Sequence, residues 1–423
     1  MAVNRPPLRT GLVLGGGGAR GAYEAGVLAY LREELEHELG RPLPLPVIAG
    51  TSVGAINACH VAAYAEDGKL QARELVERWR SLSIHEVLRF GAGDLIRVAR
   101  EVLGRVPDLT EERNGGLIDP AGIYDIVLRG VPWKNIGRSI RAGRLHGVAV
   151  SATHVATGRT TVFIQMRDLE LPAWTRDPHL RAEAALIGPH HALASAAIPL
   201  MFPAVQIGGR LYLDGGLRLN VPLSPALRMG AERVIVVSLR HLEIPPPGPE
   251  EPEGAAERAV ATAPFLFGKT LNALMLDRTD QDLERLRRLN SMLIAGTEAY
   301  GKDFAQVLNG ALLPHRNSGV RYVRNILVRP SEDIGQLASL YARSEEFSRR
   351  AKGMASTVVK RLVDREAPDS ADLVSYLLFD GGFADVLVAM GKNDARKMRD
   401  QWVRFFSDDP ECDAEAAQLA RTA

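Results

Sequence analysis

The chain has 423 residues, 46% hydrophobic and 24% charged, with 52 Lys and Arg against 51 Asp and Glu for a net charge of +1. That composition is globular and long enough to bury a full core; the charge balance lacks the one-signed field that gathers nucleic acid, so no DNA or RNA partner is expected. Two cysteines, Cys59 and Cys412, exclude a disulfide framework, and no Cys/His cluster has the spacing of zinc ligands.

Residues 1–10 contain two arginines and two prolines but no apolar run of signal-peptide length. Nowhere do about 18 uncharged apolar residues follow one another, so no transmembrane segment is expected and the expected address is the cytoplasm. A buried strand is predicted over residues 11–14. It breaks into Gly15-Gly16-Gly17-Gly18-Ala19-Arg20-Gly21, after which residues 22–39 show helical periodicity. A second strand–turn–helix unit follows: residues 44–48 lead into Gly50-Thr51-Ser52-Val53-Gly54, and Ala55-Ile56-Asn57-Ala58 opens a helix.

Further strands are predicted over 147–153, 160–165, 233–239 and 321–328, with 205–207 and 210–214 forming a hairpin around Gly208-Gly209. Alternation of buried strands with helices gives a three-layer α/β/α fold on a mostly parallel sheet. The run 245–254, five of whose ten residues are proline, is a stiff linker that opens a helical insertion lasting to about residue 313. From residue 331 the chain reads as helical. The expected organisation is a catalytic core over 1–335, interrupted by the linker and insertion at 241–313, then a helical C-terminal region over 336–423. Within the insertion, apolar residues of 263–276 are the candidate membrane-touching or lid element, with packing against the core as the alternative.

The G-x-S-x-G turn needs its glycines because a larger side chain would collide with the strand or helix it joins. It lifts the Ser52 hydroxyl clear of the backbone at a helix N-terminus, where amide N–H groups and the helix dipole favour developing negative charge. Ser52 therefore reads as a nucleophile; the alternative is a serine that caps its helix. The glycine loop also has two readings. Gly16-Gly17-Gly18-Ala19-Arg20-Gly21 satisfies the dinucleotide fingerprint, but that fold needs an acid at the end of the second strand, and Gly50-Thr51-Ser52 stands there. The other reading is an oxyanion hole of glycine amides facing Ser52. Arg20 is either an anchor for that loop or a phosphate contact.

Asp214, at a strand end before Gly215-Gly216, could take the serine proton if desolvation raises its pKa, or could merely organise the turn. His241 is placed for the third member of a Ser-Asp-His triad, with a solvated loop histidine as the alternative. His190 and His191 read as helix-surface or entrance residues, Asp380-Gly381-Gly382 as a turn between helices, and Cys59 as packing.

Gly16–Gly21, Gly50–Gly54, Asp214-Gly215-Gly216 followed by Asn220-Val221-Pro222, and Ala194-Ser195-Ala196-Ala197-Ile198-Pro199-Leu200-Met201-Phe202-Pro203 together resemble the patatin-like phospholipase family over roughly residues 10–240, plus the strand near 321–328. The resemblance implies a Ser-Asp dyad at Ser52 and Asp214, without the histidine, and an oxyanion hole at Gly16, Gly17 and Gly18. It implies hydrolysis of acyl esters of phospholipids, lysophospholipids or neutral lipids at a membrane or micelle surface, with no cofactor and no calcium, and the chain has no D-x-D-x-D-G loop. It assigns neither head group nor oligomeric state. The reading from another class is a catalytically idle lipid-binding or regulatory module of the same fold.

Overall fold

Short apolar runs between glycine-rich turns build the sheet: β1 (Thr10–Leu14), β2 (Val47–Thr51), β3 (Gly147–His154), β4 (Thr160–Met166), β5 (Leu180–Ala184), β6 (Val205–Ile207), β7 (Arg210–Asp214), β8 (Arg233–Val237) and β9 (Arg324–Val328). The computed structural model describes residues 8–88, 118–175, 177–242, 279–316, 319–351, 354–365 and 372–407, with Gly268 and Thr270. The linker at 245–254 and, those two residues apart, the apolar segment 263–276 lie outside the described residues.

The strand order is β5-β4-β3-β2-β1-β8-β9, with β7 attached to β3 and β6 to β7. β3-β2-β1-β8-β9 is parallel throughout, as is β4-β5, whereas β3 pairs antiparallel with β4 and with β7. Every residue of β1, β2 and β8 is buried, the pattern of strands covered on both faces. Alternation along them sorts the core into two layers. Leu12, Leu14, Ile48, Ile235 and Val237 face one cluster, shared with the helices Ala22–Tyr30 and Val53–Ala63 and with Phe383 and Phe406 near the C-terminus. Val13, Val47, Ala49, Val234 and Val236 face the other, shared with Leu223, Ala226, Leu283 and Leu286. The expected three-layer, mostly parallel architecture is thus present.

Three details differ from the sequence reading. β5 was not anticipated: Leu-Arg-Ala-Glu-Ala alternates small apolar and charged residues, as a half-exposed edge strand does. β9 starts at Arg324 and β8 ends at Val237, each shorter than its apolar run. The helix from Ala22 to Leu39 passes through a π-helical stretch at Leu31–Leu35. Asp380 behaves as expected, ending one turn and capping the helix Gly381–Lys397 by accepting the Gly382 N–H at 3.0 Å.

The helices Asp372–Leu377, Gly381–Lys397 and Arg399–Phe406 are fixed to the N-terminal half of the chain. Gly26 and Gly391 let two helices touch: a Cβ on Gly26 would lie 2.1 Å from the Val388 carbonyl, and one on Gly391 2.2 Å from the Tyr23 carbonyl. Arg41, Arg233 and Arg324 donate to the carbonyls of Phe406, Phe405 and Ser407, placing cations at the negative end of the helix Arg399–Phe406. No helix among the described residues is long and apolar enough to cross a membrane. Gly26→Ala should separate this helix pair and lower stability by about 1–3 kcal/mol; urea unfolding within 0.5 kcal/mol of wild type, on the order of a surface substitution, would show that the contact is not a constraint.

Candidate active site

β2 ends at Thr51, and Ser52 turns the chain with φ 56° and ψ −130° before the helix Val53–Ala63 begins. A residue with a Cβ occupies that region at a cost of about 1–3 kcal/mol, so surrounding structure must hold it there. The glycines on either side allow the turn to close. A Cβ on Gly50 would lie 2.2 Å from the Gly54 carbonyl, and one on Gly54 2.5 Å from the carbonyls of Leu14 and Gly15. The Ser52 N–H donates to Ser195 Oγ at 2.8 Å, and Ser195 Oγ donates to the Ser151 carbonyl at 2.6 Å, tying the elbow to β3.

β7 brings Asp214 beside Ala152 of β3, and the two sequence-predicted residues meet: Ser52 Oγ donates to Asp214 Oδ2 at 2.6 Å. The other carboxyl oxygen accepts the Gly216 N–H at 2.7 Å. Backbone bonds fix the carboxyl's position, Asp214 N–H to the Ala197 carbonyl and Thr153 Oγ1 to the Asp214 carbonyl, each at 2.9 Å. Asp214 is completely buried. Desolvation pushes its pKa up to about 7, against the opposing pull of the Ser52 and Gly216 hydrogen bonds.

The glycine loop lies over Ser52, since a Cβ on Gly16 would sit 2.9 Å from Ser52 Cβ. Its amides are not equivalent. The Gly16 N–H donates to the Asn220 carbonyl at 3.2 Å, while Asn220 Nδ2 donates back to the Gly16 carbonyl at 3.3 Å. Gly16 is therefore a fixed end of the loop, a correction to the expectation that all three amides face an oxyanion. The N–H groups of Gly17 and Gly18 meet no acceptor among the described residues. Gly18 adopts φ +57°, and its Cα packs so closely on Tyr376 that a Cβ would lie 2.3 Å from that carbonyl.

Arg20 is 7% exposed. Its Nε donates to Ser375 Oγ at 2.8 Å, its Nη2 reaches Asp372 Oδ1 at 3.2 Å, and its guanidinium lies 4.3 Å from the centre of the Tyr376 ring. Those contacts fit the anchor reading over the phosphate contact. Beneath the loop, Asn57 Nδ2 donates to the Gly21 carbonyl at 3.0 Å and to Glu24 Oε2 at 2.8 Å, and Trp79 Nε1 donates to Asn57 Oδ1 at 3.2 Å. Complete burial raises the Glu24 pKa well above the usual carboxylate range.

His241 Nδ1 lies 3.0 Å from the Pro330 carbonyl, and neither Ser52 nor Asp214 is among its partners. His190 is exposed on its helix, whereas His191 Nδ1 accepts the Gly188 N–H at 3.1 Å and its ring packs against Phe163. Cys59 is buried, which pushes its thiol pKa up, as packing requires. Sequence reasoning assigned no part to Ser195, Asn57, Glu24 or the Asn220 side chain. The available signals were a polar residue inside an apolar helix for Glu24 and Asn57, and membership of a motif block for Ser195 and Asn220.

Residues 12–227 match the family described as Patatin-like phospholipase. An uncharacterized NTE family protein of Mycobacterium tuberculosis is 27% identical over 276 residues, which cover 64% of this chain and 61% of that one. A cGAMP-activated phospholipase of Pseudomonas aeruginosa is 32% identical over 213 residues, 50% of this chain and 53% of that one. This chain thus spans only part of the length of the curated relatives it matches. Among solved structures, VipD from Legionella pneumophila aligns with 94% of this chain and 67% of its own at 12% identity and a TM-score of 0.33. The family match takes in just over half of the sequence and both partners of the Ser52–Asp214 contact, so the chain belongs to the patatin-like phospholipase family.

Proposed function

We propose that this chain is a serine hydrolase of lipid acyl esters, of phospholipase A or lysophospholipase type, that works through Ser52 and Asp214 without a histidine. The observation that carries the reading is the 2.6 Å hydrogen bond from Ser52 Oγ to a buried carboxyl whose pKa lies at about 7. A base is most effective when its pKa is near the working pH, and an ordinary aspartate would be too weak. Asp214 takes the Ser52 proton as Oγ attacks the acyl carbonyl. The Gly17 and Gly18 amides hold the oxyanion, and Asp214 returns the proton to the departing alcohol. A water deprotonated by Asp214 then attacks the acyl-enzyme, releasing the fatty acid and restoring the serine.

The phospholipase named among its relatives and the family match support an ester of a membrane lipid as substrate. The lipid would be taken from a membrane or micelle surface by a protein lodged in the cytoplasm or peripherally at the bilayer. An idle module is the weaker reading, because a binding protein has no use for a strained serine held on a carboxyl with a raised pKa.

A fluorophosphonate should label wild type and fail on Ser52→Ala, whose hydrolysis of a phospholipid panel should fall about 10⁴-fold or more; labelling of the variant, or none of wild type, would count against Ser52 as the nucleophile of a hydrolase. The kcat/KM of wild type should rise with pH through a single ionisation near 7, because only the ionised Asp214 accepts a proton. Stability runs the other way. The folded-state pKa lies above the unfolded value of about 3.9, so the proton's contribution is complete below pH ~4 and is lost as pH rises through 7. Asp214→Asn should therefore be inactive yet more stable than wild type at pH 8, by roughly 1–3 kcal/mol in urea unfolding; equal or lower stability would mean that Asp214 ionises freely.

A further inference from the structure

Beside the dyad the chain makes a second strained turn. The Ala197 carbonyl accepts the Asp214 N–H at 2.9 Å, and three residues on, Leu200 adopts φ 67° in a turn where the Ile198 carbonyl accepts the N–H groups of Met201 and Phe202 at 3.2 and 2.9 Å. Pro199 suits the second position of such a turn, but a positive φ at the third is a place for glycine or asparagine. A leucine there is strained. It is also 59% exposed, so burial in the fold does not offset the strain. An outlier of this kind, next to reacting groups, points to a function.

Its surroundings say what it meets. The strands β1, β2, β3 and β8 run parallel, and the Ser52 elbow stands at their carboxyl ends. Val155, just past β3, and Leu242, shortly after β8, add exposed apolar side chains at the same end. Two exposed arginines stand next to the site in sequence. Arg218 follows the turn in which the Gly216 N–H binds Asp214, and Arg240 follows Leu239, whose Cδ1 would lie 2.7 Å from a Cβ on Gly17. Neither forms an ion pair with a described residue. Apolar tips flanked by available cations match acyl chains lying beneath a layer of phosphate groups.

We propose that this end of the sheet docks on an anionic phospholipid bilayer, with Leu200 entering the acyl layer and Arg218 and Arg240 meeting lipid phosphates. The strained turn holds the leucine out from the fold, and the bond from Asp214 to Ala197 ties the dyad to that turn. That docking delivers an ester to Ser52 rests on the proposed hydrolase activity; the docking itself does not. Leu169 supplies an internal control. It too is exposed, at φ 55°, but it follows β4, whose last residue, Met166, pairs with Gly147 at the start of β3, so it lies at the opposite end of the sheet.

Cosedimentation of the full-length Ser52→Ala protein with phosphatidylglycerol or phosphatidylcholine vesicles tests the face with no turnover. Binding should be about tenfold tighter or more on the anionic vesicles. Leu200→Asn, added to this protein, should weaken it roughly three- to tenfold, with a thermal midpoint at or above the parent's because asparagine tolerates the left-handed backbone; Leu200→Met should restore it. Arg218→Gln with Arg240→Gln should lower anionic binding about tenfold or more, and Leu169→Asn should leave it as it is. No binding to anionic vesicles, equal affinity for the two compositions, affinity unchanged in Leu200→Asn or in the arginine pair, or a loss in Leu169→Asn as large as in Leu200→Asn would overturn the proposal. Self-association that Leu200→Asn abolishes, with no vesicle binding, would make the face an interface between copies and overturn it as well. Vesicle binding by a wild type that cleaves no lipid ester would leave the docking face standing and count against the hydrolase reading.

Discussion

The backbone of Ser52, held at φ 56° with its hydroxyl on Asp214, is the constraint from which the rest of the site follows. No local preference puts a serine there. The strain is sustained because both sides of the turn are already fixed: β2 is buried on both faces between β1 and β3, and the helix after it packs into the same core. Ser195 adds a polar tie, accepting the Ser52 N–H and donating its hydroxyl to the Ser151 carbonyl of β3. Were that N–H left unpaired in a dry interior, it would cost about 1–3 kcal/mol in addition to the strain.

Charge is managed by exclusion. Among the described residues the Asp214 carboxyl meets a hydroxyl and a backbone N–H but no cation, so desolvation raises its pKa to about 7. Arg20, in the glycine loop, is committed to Asp372, Ser375 and the Tyr376 ring. An opposite charge within about 4–6 Å of a carboxylate lowers its pKa by 1–3 units. A guanidinium beside Asp214 would therefore weaken it as a base; engaged by Asp372 and Ser375, that of Arg20 braces the loop instead.

The elbow, the glycine loop and the strand ending in Asp214 are legible in the sequence because each rests on a local rule. Apolar runs make buried strands, and glycines stand where no Cβ fits, as the 2.2 Å approach at Gly50 illustrates. What escaped reading is set by distant partners. Arg20 meets Ser375, 355 positions later, and Ser52 meets Ser195, 143 positions later, neither with any periodic signal. The engagement of the Gly16 amide with Asn220 was illegible for the same reason: a run of four glycines says that backbone comes close to something, but not which amide is already paired. β5 escaped for a different cause, since an edge strand that carries Arg181 and Glu183 and has no fully buried residue shows little hydrophobic pattern.

The family match ends at residue 227, yet the loop it contains is shaped from both sides of that boundary. From the sheet side, Asn220 clasps Gly16 through a reciprocal pair of hydrogen bonds. From the helical side, Tyr376 presses its carbonyl against Gly18 while Arg20 reaches into the same helix. Between these clamps the Gly17 and Gly18 amides meet no acceptor among the described residues. The two described helices that follow, Gly381–Lys397 and Arg399–Phe406, are held in turn by the crossing at Gly26 and by three arginines on the last carbonyls of the described chain. The C-terminal helices are therefore part of the scaffold that sets the direction of two backbone N–H groups, and the single core running from Leu12 to Phe406 is the physical form of that dependence.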